Sequence, residues 1–176
     1  MPASWLIMPF VLQILCMIAD EIYFHYRRPL PRWERWGHPL DTLTVLLCWS
    51  VIFFVEPGPI SVAVYAALSV LSCLCVTKDE WVHAQCCSAG EHWLHALLFI
   101  LHPLILVSAG LLWQAMHTHT ASPLALGWLH YTGWERPFFI ANAALTLLFG
   151  LYQLLYWNVL WKSDARAQLI TTSMTS

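Results

Sequence analysis

Apolar residues occupy five long runs, each broken by a short polar or proline-bearing segment. The first covers residues 5–26 and stops before Pro29 and Pro31. The second opens at Pro39, a favoured first helical position, and ends before the Glu-Pro-Gly-Pro turn at 56–59. The third covers residues 60–85, the fourth 91–116, and the fifth begins after Pro137 and reaches Trp161. Each is close to or above the roughly 20 apolar residues needed to cross a bilayer as a helix. The pattern therefore predicts an all-α integral membrane protein, a bundle of five transmembrane helices forming one domain over residues 1–162. Residues 163–176 read as a polar, partly disordered tail. Pro103 falls inside the fourth run and is expected to kink it.

Composition supports this reading. The chain is 59% hydrophobic and 10% charged, against about 25% charged in soluble domains. The net charge of −2 says nothing about nucleic acid, but no basic, aromatic-laced patch appears, and no nucleic-acid partner is expected. The N-terminal stretch lacks a positive n-region and a small-residue cleavage site, and reads as a retained helix. Cys16, Cys48, Cys73 and Cys75 lie within apolar runs and are expected to pack as small hydrophobes.

Orientation follows from the basic residues. Arg27, Arg28, Arg32, Arg35, Lys78, Lys162 and Arg166 fall on one side of a five-span chain, and Arg136 alone on the other. The positive-inside rule then places the N-terminus outside and the C-terminus in the cytoplasm, consistent with a bacterial inner membrane.

The polar residues are as patterned as the apolar ones. Residues 78–95, KDEWVHAQCCSAGEHWLH, state one phrase twice: Asp79 to His83, then Glu91 to His95. Glu21 and His25 repeat the spacing at the end of the first run, and His38 with Asp41 opens the second. Residues three or four apart share a helix face, so each pair offers two ligand atoms, and all four pairs fall at the same end of the bundle. Acids at helix C-termini are not explained by the helix dipole, and ionisable groups in a membrane mark function.

Carboxylate and imidazole together suit iron, manganese or zinc. The expected ligands are Glu21, His25, His38, Asp41, Asp79, His83, Glu91 and His95. Glu80 rivals Asp79, and His92 rivals His95; Glu80 and His92 are otherwise expected to act in proton transfer. Cys86 and Cys87 lie beside the cluster as inert thiols. His102, about two turns deeper than His95, and the outer-loop His117, His119 and His130 are given structural roles.

Glu80-x-x-His83 resembles the Glu-x-x-His motif that ferritin-like di-iron proteins carry twice. The ligand chemistry also resembles that of histidine-box membrane hydroxylases and desaturases, although the chain has no H-x-x-H-H. These resemblances cover four short motifs and assign no family.

The leading expectation is a membrane metalloenzyme with two divalent ions, iron before zinc or manganese, oxidising a membrane lipid or other apolar molecule. Alternatives are a zinc-dependent lipid hydrolase and a non-catalytic small subunit alongside partner membrane proteins. Transport and haem binding fit less well, since His102 is the one deep histidine.

Overall fold

The computed structural model describes residues 2–27, 30, 32–78, 87–117 and 122–161. Among these the chain is helical, with no strand beyond a single bridge between Pro2 and His130. Five helices are long and apolar enough to cross a membrane: α1 (Ala3–Arg27), α2 (Arg32–Phe54), α3 (Pro59–Val76), α4 (Ala89–Met116) and α5 (Glu135–Leu160). α4 packs against all four others, and α2 lies between α3 and α5.

Aromatic rings fill the centre. Phe10 of α1 meets Phe139 of α5 edge-on at 5.9 Å, Trp49 of α2 meets Phe139 at 5.5 Å, and Phe53 stacks on Phe139 at 5.1 Å. The apolar surface continues outward. α3 has a mean hydropathy of 2.1, yet only 11% of that window is buried. Ile60, Phe54, Val159 and Leu148 are all exposed. A shell of exposed aliphatics around a packed core is the surface expected of a protein dissolved in lipid.

Pro39 and Pro103 sit in the interiors of α2 and α4. Pro39 was expected to open the second helix, but α2 begins at Arg32. A proline lacks the N–H that would bond the carbonyl four residues back. Here that carbonyl belongs to Arg35, and Asn158 Nδ2 of α5 donates to it at 2.9 Å. The substitute donor lets α2 run two turns further than Pro39 implied. Pro103 likewise lies within the continuous helix α4.

The helix ends are tied by local chemistry. Ser88 caps α4, its hydroxyl accepting the backbone N–H of Glu91 at 3.3 Å. At the opposite end of the bundle Glu135 is buried, and its carboxylate accepts from the backbone N–H groups of Thr132 and Gly133 and from the Thr132 hydroxyl. That acid clasps the loop before α5. His117 is also structural: its Nε2 donates to the Ile52 carbonyl at 2.8 Å. His130 contributes its carbonyl to the Ala3 N–H at 2.9 Å.

α5 lies very close to α2 at one position. A Cβ on Gly150 would stand 2.8 Å from Thr42 Cγ2, so only glycine permits this approach. The contact keeps Thr42 Oγ1 in place to donate to Gln153 Oε1 at 2.9 Å.

Candidate metal centre

The C-terminal ends of α1, α3 and α5 and the N-terminal ends of α2 and α4 meet at one end of the bundle. Both α1 and α5 carry a π-turn near this end, over Asp20–Phe24, where a 3-10 turn follows, and over Tyr156–Leu160. Wider turns of this kind often occur at functional sites. In α1 the His25 N–H reaches the carbonyls of both Asp20 and Glu21, so residues four and five positions back flank one imidazole. Glu21 Oε2 accepts from His25 Nδ1 at 3.0 Å, and Asp20 Oδ2 faces His25 Nε2 at 3.2 Å. Asp20 Oδ1 in turn faces Nε2 of His95 from α4 at 3.3 Å. One carboxylate thus stands between two imidazoles.

Glu91 completes this group, four residues before His95. Ligand atoms from Asp20, His25, Glu91 and His95 all lie within 4.8 Å of one another, and all four residues are buried. A second group of His25, Glu34 and His38 meets the same limit. The rings of His25 and His38 are 5.0 Å apart, tilted by 31°. Donors bound to one ion at about 2.1 Å stand about 3.0–3.4 Å apart, which is the spacing of Asp20 from both imidazoles.

The charge is as telling as the spacing. Asp20, Glu21, Glu34 and Glu91 are exposed by 6, 6, 0 and 2% respectively. Four carboxylates withdrawn from water at one end of a bundle require compensation by positive charge or bound protons. His38 Nε2 is buried and has no hydrogen-bond partner among the described residues, although it belongs to the second group. An orphaned imidazole nitrogen beside buried carboxylates is the donor set that suits a divalent ion.

Glu21 does not join either group. Its Oε1 accepts from the Tyr152 hydroxyl at 2.7 Å and from Trp157 Nε1 at 2.8 Å, while Oε2 takes the His25 Nδ1 proton. A carboxylate on the far nitrogen fixes the tautomer, leaving His25 Nε2 to face the site. Tyr26 extends this network, its hydroxyl 2.8 Å from that of Tyr152. The second π-turn places the Trp157 ring against His25, with centroids 6.4 Å apart.

The expected ligands therefore divide. His25, His38, Glu91 and His95 are brought together. Glu21 stands behind His25. Asp41 lies in the wall nearby, but it is ion-paired with Lys78 at 2.6 Å. His92 is half-buried and outside both groups. Asp79, Glu80 and His83 lie outside the described residues. Asp20 and Glu34 were not anticipated. Asp20 stands five residues before His25, a spacing the α-helical periodicity discounts and the π-turn restores. Glu34 and His38 have the i, i+4 spacing of the other pairs, but the pair precedes Pro39, where no helix was expected.

A cavity of about 150 Å³ extends inward from this cluster. Asp20, Glu21, His25, His38, Asp41 and His95 line one part, and Met17, Val45, Trp49, Leu98, Phe99, Ile105 and Phe149 most of the remainder. His102 also borders it, with Nε2 3.0 Å from Ser72 Oγ, which is 2.8 Å from Thr44 Oγ1. A concave, mostly apolar space ending in a few convergent polar groups is the usual form of a small-molecule site.

No protein-family model matches the sequence, and neither a curated protein nor a solved structure gives a match.

Proposed function

We propose that the chain is a membrane-embedded metalloenzyme with a carboxylate/histidine centre, oxidising an apolar molecule held in the adjoining cavity. The observation that carries this reading is the convergence of Asp20, His25, Glu91 and His95, all buried, with Asp20, His25 and His95 lining that cavity. Glu34 and His38, beside His25, supply two further donors for a second ion. Redox-active ions in such a shell would supply, with dioxygen as oxidant and an external two-electron donor as reductant, the chemistry that hydroxylates a C–H bond, one oxygen entering the product and the other leaving as water, or desaturates a C–C bond with both oxygens leaving as water. Iron or manganese is proposed before zinc because the shell is richer in carboxylate than most zinc sites; zinc would redirect the same residues to hydrolysis.

The chain's own residues do the rest. Glu21 holds the Nδ1 proton of His25, so the imidazole presents Nε2. Tyr152 and Trp157 hold Glu21. The apolar wall excludes water and orients a substrate by packing. Lysines and arginines concentrated in the segments at this end support its orientation toward the cytoplasm.

The test is reconstitution in lipid nanodiscs with ferrous iron or zinc, followed by incubation with lipid extract, dioxygen and ascorbate as reductant. Mass spectrometry should find products heavier by one oxygen, or lighter by two hydrogens, with iron alone. Products with zinc alone, arising by hydrolysis, would overturn the oxidative reading.

A further inference from the structure

Three buried polar atoms in the cavity wall lack a hydrogen-bond partner among the described residues: Gln13 Oε1, His38 Nε2 and Trp49 Nε1. His38 belongs with the metal-binding groups, but Gln13 and Trp49 stand far from them. Gln13 lies about two turns beyond Asp20 along α1, ~10 Å toward the centre of the bundle. Trp49 lies about three turns beyond His38 along α2, ~16 Å. Trp49 is 2% exposed, and its ring is wedged between Phe10 and Phe139. An indole N–H and an amide oxygen left unmatched in an apolar interior weaken the fold, where phenylalanine and leucine would fill the same space without that cost.

The two orphans are opposite in sense, one donor and one acceptor, and they border the same cavity. A hydroxyl group carries both an acceptor and a donor. We propose that the cavity binds an aliphatic alcohol. Its oxygen accepts from Trp49 Nε1, its O–H donates to Gln13 Oε1, and its hydrocarbon body lies along Met17, Val45, Leu98 and Ile105. The volume suits a small ligand: an apolar cavity of about 150 Å³ accommodates benzene. The end of the chain remote from the hydroxyl then lies toward Asp20, His25 and His95. That last placement rests on the metalloenzyme reading, whereas the hydroxyl pocket does not.

The experiment uses the full chain in nanodiscs after chelator treatment, with 1-hexanol as probe and 1-fluorohexane as an isostere without a donor. Dissociation constants come from saturation-transfer NMR, with concentrations referred to the lipid phase. Hexanol should bind at least tenfold more tightly than fluorohexane. Trp49→Phe and Gln13→Leu should each weaken hexanol binding about tenfold, while unfolding at the same or a higher temperature without ligand. Should either variant fail to fold, the two probes compared on the unaltered protein still decide. Equal affinity for the two probes, or hexanol affinity unchanged in both variants, overturns the proposal. Glu91→Gln, at a group member that does not line the cavity, serves as the separate control and should leave hexanol affinity within twofold. Full metal content in that variant, with hexanol binding as expected, would sink the metal reading alone.

Discussion

Replacing Glu21 by glutamine tests whether this acid orients a ligand or is one. Three donors converge on it: Tyr152 and Trp157 at Oε1, and His25 Nδ1 at Oε2. Glutamine keeps one acceptor oxygen, which can continue to serve Tyr152 and Trp157. Its NH₂ group would then face the His25 Nδ1 proton, donor against donor. The imidazole escapes by moving that proton to Nε2, the atom that faces Asp20 at 3.2 Å, and so loses its ligand lone pair. Loss of such an orienting partner typically lowers metal affinity 10- to 100-fold, equivalent to about 1.4–2.7 kcal/mol. Competition with a chelator of known affinity measures the change, and ¹⁵N NMR of the metal-free protein reports the His25 tautomer. Tyr152→Phe removes one of the three donors without reversing the tautomer and should cost less than Glu21→Gln. Metal affinity within twofold of the unaltered protein, with the Nδ1 proton gone from His25, would refute the positioning role.

Other substitutions separate neighbouring roles. Asp41→Asn should leave metal content unchanged, because Asp41 is engaged by Lys78, and should lower stability by about 1 kcal/mol given the pair's partial exposure; metal analysis and denaturation check both. Glu34→Gln or His38→Gln should reduce the metal ratio from two per chain toward one, read by elemental analysis. Gly150→Ala should destabilise the α2–α5 contact by about 1–3 kcal/mol through overpacking. Adding Thr42→Ser removes the clashing methyl and should recover most of the loss in a thermal unfolding series.

The legible part of the fold was the part written in continuous hydrophobicity. Five apolar runs became five helices, and the ends of α4 were anticipated to within two residues. Helix starts near proline were harder, because the rescue of the Arg35 carbonyl by Asn158 depends on a residue over 120 positions away. The site was legible as a level in the bundle rather than as a list of ligands. Acid–histidine pairs repeated at one end because several helices deliver side chains there, and His25, His38, Glu91 and His95 follow that rule. What failed was the assumption of uniform α-helical periodicity. One π-turn brings in Asp20 and leaves Glu21 to bind the far side of His25. Asp41 looked like a ligand by spacing, yet Lys78 claims it across the interface with α3. Gln13 and Trp49 carried no local signal, since an unmatched donor and acceptor become visible only once the surrounding helices have closed around them.

The central claim is that Asp20, His25, Glu91 and His95 hold a metal ion. Elemental analysis of the purified protein in nanodiscs, beside Asp20→Asn and His95→Gln, tests it most directly. The unaltered chain should carry two equivalents of a transition metal, and each variant, folded by circular dichroism, should lose most of it. Full metal content in both variants, or none in the unaltered chain after reconstitution with iron, manganese or zinc, would contradict the account.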